Sequence, residues 1–244
     1  MRRLLLTIKY DGTDYHGWQV QKNAVTVQEV LQNAIEKVFC KRLDVIGCSR
    51  TDSGVHANMY CLSFDTDMNI KNENVVTALN GYLPNDIAVL DCRQVDKSFH
   101  PRYSCLSKEY IYIINNGKIR DPFNSRYSYY YRRKIDAEYL NEQAKYFIGT
   151  HDYKGFCSVN SDVESTVRTV KAFDVWRDGD LVYFKVSADG FLYNMVRIMV
   201  GTLLFVSEGK IPPGELANVI SSCDRRRAGK TAPPQGLFLN KVNY

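Results

Sequence analysis

Two periodicities alternate along the first hundred residues of this chain, and their order restricts the fold more than any other feature. Leu4, Leu6, Ile8 and Tyr10 occupy every second position, the spacing of a strand with one buried face. Val27, Val30, Leu31, Ala34, Ile35, Val38 and Phe39 then recur at helical spacing, and Thr26 with Glu29 supplies a capping box for the first turn. Strand-like runs at 43–48 and 59–65 follow. A helix over 73–82, carrying Val75, Val76, Leu79 and Tyr82, stops at Pro84, and a strand covers 86–95. A β-α-β-β-α-β series predicts a ferredoxin-like α+β unit, an arrangement that many RNA-binding modules share.

The second half repeats the theme with insertions. Tyr110, Tyr112 and Ile114 fall on one face of a strand at 107–115, and an aromatic strand is predicted at 127–132. A helix is expected from an Asp136 cap to Gly149, and a hairpin over 167–188 turning at Asp178-Gly179. Residues 191–207 are apolar nearly all round, which predicts a central helix. A short helix after Pro212-Pro213 and a strand at 236–242 end the chain. We therefore expect two ferredoxin-like halves, 1–104 and 105–244, sharing a mainly antiparallel sheet with a cleft where they meet.

Charge and cysteine content narrow the function classes. A net charge of +5 with a pI of about 8.7 permits a polyanionic partner without requiring one. The longest apolar-rich run, Val196 to Val206, is far short of the roughly 20 residues that span a bilayer. Lys9 and Asp11 break the apolar stretch after Met1-Arg2-Arg3 too early for a secretory leader, so a cytoplasmic protein with no membrane partner is expected. The seven cysteines are odd in number and show no C-x-x-C spacing, and His16, His56, His100 and His151 are scattered. Neither a disulfide framework nor a zinc knuckle is expected, no metal ligand is assigned, and a metal site built from distant residues is the open alternative.

The segment from Gly47 to Ala57, Gly-Cys-Ser-Arg-Thr-Asp-Ser-Gly-Val-His-Ala, places Arg50 and Asp52 two apart in a turn-rich stretch directly after a strand. Loops held by rigid elements are where reactive groups concentrate. On residue chemistry alone, a solvated ion pair in a surface turn is the plainer reading. The segment also resembles the R-T-D-x-G-V-H-A signature of the TruA family of tRNA pseudouridine synthases, and further motifs of that family recur in order. Tyr10-Asp11-Gly12-Thr13-Asp14-Tyr15-His16-Gly17-Trp18-Gln19 is similar to its N-terminal signature, and Phe99-His100-Pro101-Arg102-Tyr103-Ser104 to its hinge segment. Phe191 to Arg197 with Gly201-Thr202-Leu203 resembles its buried helix, and Ala232-Pro233-Pro234-Gln235-Gly236-Leu237 its A-P-x-x-G-L. The chain departs from the family at Lys108-Glu109-Tyr110-Ile111-Tyr112, where R-x-Y-R-Y is usual, and at Cys48-Ser49, where Ala-Gly is common.

The resemblance implies isomerisation of uridine to pseudouridine at positions 38, 39 and/or 40 in the anticodon arm of tRNA, without a cofactor. It makes Asp52 the catalytic carboxylate and Arg197 its ionic partner. By the same resemblance Tyr110 would stack on the target uracil and Leu237 would pack on the other side of the base, and Arg50 would be well placed to support the vacated stack or a flanking phosphate. It also implies a homodimer with one tRNA contacting both copies. The residues themselves leave plainer roles open: Arg197 snorkelling to the surface, Tyr110 an ordinary strand tyrosine, Leu237 a core leucine, His56 a structural contact. Arg132-Arg133-Lys134 and Arg225-Arg226-Arg227 with Lys230 are either solvated or phosphate-binding. A non-catalytic RNA-binding protein would share the basic balance and the aromatics. A hydrolase built on Asp52 would lack an evident partner acid, oxyanion loop or metal set.

Overall fold

In the computed structural model, which describes residues 1–158 and 163–244, the chain forms two compact units: Met1–Leu106 with Phe238–Tyr244, and Ser107–Leu237. The first carries β1 (Arg2–Tyr10), α1 (Val27–Phe39), β2 (Ile46–Gly47), β3 (His56–Thr66), α2 (Asn72–Asn80) and β4 (Ile87–Val95). The second carries β5 (Ser107–Asn115), β6 (Tyr129–Tyr130), α3 (Ala137–Ala144), β7 (Gly149–Asp152), β8 (Val167–Asp178), β9 (Leu181–Ala188), α4 (Met195–Ser207) and α5 (Leu216–Ser221). The last strand, β10 (Leu237–Asn243), returns to the first unit, a placement that element order alone does not predict. The fold is α+β, with mainly antiparallel strand pairing.

In the first unit the strands run β4-β1-β3, and β3 pairs with both β2 and β10. The order is the one a βαββαβ series gives when its two helices cross the same face of the sheet. Leu4, Leu6 and Ile8 are fully buried opposite Phe64, Leu62 and Tyr60. Phe39 at the end of α1 meets Phe64 edge-on at 5.2 Å. Each such buried side chain stabilises the unit by roughly 1.5–3 kcal/mol. The helix α1 begins as its sequence predicts: Thr26 Oγ1 accepts from the Glu29 amide at 3.4 Å. Cys40 ends it in a left-handed conformation at φ 53°.

In the second unit the order is β5-β9-β8-β7, with β6 on β5. Phe173, Val175, Val182, Phe184 and Val186 are buried on the inward positions of β8 and β9, beside Tyr112 and Ile114 of β5. The helix α4 has ten of its thirteen residues buried, as expected from its all-round apolarity.

Several boundaries differ from the sequence reading. The strand expected at 43–48 shrinks to Ile46–Gly47, and the aromatic strand at 127–132 to Tyr129–Tyr130. The helix expected to reach Gly149 stops at Ala144 and tightens into a single 3-10 turn over Lys145–Phe147. There the Tyr153 hydroxyl takes the Phe147 carbonyl, and Gly149 opens β7 at φ 118° instead of capping a helix. The hairpin turn lies one residue later than predicted, at Gly179-Asp180: Asp178 pairs with Leu181, and Gly179 at φ 56° fills the first central position, as a type II′ turn requires. The helix predicted from 191 starts at Met195, after Asn194 in a left-handed conformation.

Candidate active site

The loop between β2 and β3, in the first unit, carries Arg50 and Asp52. Its foundation is laid by the residues before α1. The first amides of that helix find carbonyls in the preceding segment: Val27 N donates to Gly17 O at 3.2 Å and Gln28 N to Trp18 O at 3.0 Å. The same segment grips the Asp52 loop. Trp18 N donates to Thr51 O at 3.1 Å, and Gly54 N to Tyr15 O at 3.2 Å. Tyr10 Oη meets Thr51 Oγ1 at 2.8 Å, both residues being buried. Asp52 to Val55 form a tight turn closed by Val55 N to Asp52 O at 3.2 Å, with Gly54 at φ 74° in the position that requires glycine.

Close backbone approach completes the clamp. A Cβ on Gly12 would lie 1.9 Å from Val55 O, and one on Gly17 would lie 2.6 Å from Thr51 O. Trp18 stacks on Tyr60 at 4.1 Å, and Tyr60 donates to Ser49 O. His56 is buried at 1% exposure, stacks on Phe238 at 4.6 Å and accepts from Gly12 N through Nδ1 at 3.0 Å. It belongs to the foundation of the loop. Arg50 stands exposed and Asp52 half-buried on this fixed frame.

Tyr110, Arg197 and Leu237 lie in the second unit. Tyr110 is 6% exposed on β5 and packs edge-on against Phe191 at 5.0 Å. Arg197 sits in the first turn of α4, half-buried. Its Nε donates to Ala232 O at 2.7 Å and its Nη1 to Asn194 Oδ1 at 2.6 Å, so the guanidinium is oriented. Ala232 N returns a bond to Arg197 O at 3.1 Å. Tyr112 Oη donates to Pro233 O at 2.7 Å, and a Cβ on Gly236 would lie 2.7 Å from Ile113 O. The segment 232–237 is thereby pressed onto β5 and α4, with Leu237 buried at its end. Burial raises the Tyr112 pKa well above its ordinary value, against the opposing pull of the Arg197 charge, so this phenol stays neutral and serves as a donor.

The two basic runs behave differently. Arg225 turns inward, donating to Gly229 O at 2.8 Å and Thr231 Oγ1 at 3.2 Å. Arg226 clasps Asp224, whose carboxyl is pushed down to about 2 by that guanidinium. Arg227 lies 3.6 Å from Glu215. This run braces its own loop. Arg132, Arg133 and Lys134 are all exposed, with Arg133 3.0 Å from Glu208. Among the described residues, no group of three or more His, Cys, Asp or Glu side chains is placed to hold a metal ion, and no helix is long and apolar enough to cross a membrane.

A family model described as tRNA pseudouridine synthase matches residues 6–104 and 143–244, most of the chain and the loop that carries Asp52. The chain belongs to the tRNA pseudouridine synthase family. It is an isomerase of that family. It is 47% identical over its whole length to all of the tRNA pseudouridine synthase A of Thermoanaerobacter sp. (strain X514). The corresponding values are 46% for the protein of that name from Clostridium kluyveri and 43% for that from Brevibacillus brevis, again over the whole of both chains. Within a tRNA pseudouridine synthase the motifs acquire separate duties. The R-T-D segment presents Arg50 and Asp52, whereas the Asp11–Trp18 signature holds them in place. That supporting role of Gly12, Gly17 and Trp18 is not predicted from the residues. The only sequence signal for it is two glycines and a tryptophan within seven positions.

Proposed function

We propose that this chain converts uridine to pseudouridine at positions 38, 39 and/or 40 of the anticodon arm of tRNA, with Asp52 as the essential carboxylate. The observation that carries the proposal is the turn Asp52–Val55, fixed through Gly54 to Tyr15 and through the adjoining Thr51 to Trp18, while Asp52 remains half-buried. A reacting group must be held to within a fraction of an ångström, and this frame provides that.

The reaction breaks the bond between ribose C1′ and N1 of uracil, turns the base, and joins C1′ to C5, whose proton leaves to solvent while N1 takes one up. Atoms and electrons balance without an oxidant or an energy source. A carboxylate beside the ribose serves the sequence as nucleophile or base. It must be ionised, and Arg197, already oriented by Ala232 and Asn194, is assigned as its counter-charge. Tyr110 is assigned as the platform for the extruded uracil and Leu237 as the apolar surface opposite. Arg50 is assigned to the vacated stack or a flanking phosphate. Extruding the uridine costs a few kcal/mol, which these contacts offset. A homodimer would extend the +5 charge of one chain into a longer track for one tRNA.

Release of tritium from tRNA carrying C5-labelled uridine tests the assignment. Asp52→Asn is expected to lower release by at least about 10²–10⁴-fold while tRNA binding persists. Arg197→Met is expected to cripple release in a protein that stays folded. Undiminished release by Asp52→Asn would remove the aspartate from the chemistry. Binding without release by the unaltered chain would return it to a non-catalytic RNA-binding role.

A further inference from the structure

Residues 116–128, between β5 and β6, lie outside the two stretches matched by the family model and contain none of the site residues above. Two of their side chains are apolar and almost wholly in water: Phe123 is 90% exposed and Ile119 77%. An aromatic ring left in solvent contributes nothing to folding, and Phe123 is the most exposed large hydrophobic side chain among the described residues.

The loop that bears Phe123 is nevertheless well ordered by its own bonds. Asp121 Oδ1 accepts from Phe123 N at 2.9 Å and Asp121 Oδ2 from Asn124 Nδ2 at 2.6 Å. Pro122 opens a single 3-10 turn, which Ser125 Oγ closes onto Pro122 O at 2.7 Å. Tyr127 N and Ser128 Oγ both reach Asn124 O, at 3.1 and 2.7 Å. The base of the loop is tied by Asn116, whose Nδ2 donates to the carbonyls of Tyr131 and Arg133 and whose Oδ1 accepts from Arg177 at 2.7 Å.

The surroundings are cationic. From 116 to 134 the chain has Lys118, Arg120, Arg126, Arg132, Arg133 and Lys134, all exposed, against the single acid Asp121. That acid is occupied in capping the turn.

We propose that loop 116–128 docks onto the RNA substrate, its cations taking phosphates and Phe123 stacking on an unpaired base. The proposal rests on reading tRNA as the substrate. Charge complementarity selects the partner. An apolar tip ringed by cations suits a polyanion whose bases offer flat faces. A second copy of this chain would bring the same positive charge to the contact.

The test uses the full chain and a tRNA transcript, with binding read by fluorescence anisotropy over a salt series. Phe123→Ala is expected to weaken binding about fivefold or more, with little change in the salt slope, and Phe123→Trp to retain affinity. Lys118→Glu with Arg120→Glu is expected to weaken binding and to reduce the salt slope by about 1 for each phosphate no longer neutralised. All these side chains are exposed, so melting by circular dichroism should match the unaltered chain. Sedimentation without RNA distinguishes the rival occupant. Wild-type affinity in the loop variants overturns the proposal. So does a change in self-association that accounts for the weaker binding. Because binding is read without turnover, reduced affinity supports the docking role even in a chain that releases no tritium. Intact affinity refutes the docking role while leaving tritium release untouched. An unaltered chain that fails to bind tRNA overturns both readings.

Discussion

Two loops of this chain present polar chemistry outward, and they are fixed in opposite ways. Residues 48–55 depend on distant sequence: their backbone is bonded to Tyr15 and Trp18 and crowded by Gly12 and Gly17, some forty positions earlier. Residues 116–128 depend mainly on themselves, through Asp121, Ser125 and Ser128. The difference matches the role proposed for each. A carboxylate acting on a glycosidic bond loses rate steeply with small displacements, so its loop is over-determined by the core. A stacking side chain tolerates several base orientations and needs only to be ordered before contact. The first loop should therefore fail together with the fold, and the second should fail alone.

The largest effect expected from this contrast is that of Gly12→Ala. The new Cβ would fall 1.9 Å from Val55 O and 2.6 Å from Val55 C, and no rotamer relieves a clash with backbone. Overpacking of this kind costs about 3 kcal/mol. The melting temperature should drop by several degrees, and tritium release should fall further than the folded fraction does, because the Asp52 turn is displaced. An unchanged melting temperature would show that the loop and the core are not coupled.

A smaller effect is expected from Thr51→Val, which deletes the bond between the Thr51 hydroxyl and the buried Tyr10 hydroxyl. Losing one side of a buried hydrogen bond costs about 1–3 kcal/mol. Thr51→Ser keeps the oxygen and should recover most of the stability and of the activity. If serine and valine behave alike, the hydroxyl pair does not hold the loop, and the clamp reduces to its backbone bonds and glycines.

The same contrast explains what can be read from the sequence. The helix α1 and its Thr26 cap, the strands β1 and β4, and the apolar α4 depend on local periodicity and appear nearly where expected. Residues 43–48 are as apolar as a strand should be, yet only Ile46–Gly47 pair, and Gly47 passes where a Cβ would strike Tyr60 Oη at 2.2 Å. The end of α3 falls short of Gly149 because the Phe147 carbonyl is taken by the Tyr153 hydroxyl, a partner no capping rule for residues 136–149 contains. At the candidate site, Asp52 is legible as a motif. The pressing of 232–237 onto Tyr112 is not, because it joins positions more than a hundred apart. Loop 116–128 escapes a sequence reading although its signals are local: an Asp121-Pro122 turn start and a run of cations, with no periodicity to draw attention to them.

The smallest expected effect is the one that separates the two loops most sharply. Asp121→Ala removes both carboxylate bonds, to the Phe123 amide and the Asn124 side chain, and removing a cap of this kind costs about 0.5–2 kcal/mol. Pro122, Phe123 and Ser125 are exposed, so no core packing depends on that turn. The cost should be local: faster amide hydrogen exchange at Phe123, a melting temperature within about a degree of the unaltered chain, and tRNA affinity lowered by less than Phe123→Ala lowers it. The ring is still present in this variant and must only be ordered at the moment of contact. If Asp121→Ala instead lowers the melting temperature as far as Gly12→Ala does, the loop is part of the core's cooperative unit, and self-sufficiency no longer distinguishes it from the turn that carries Asp52.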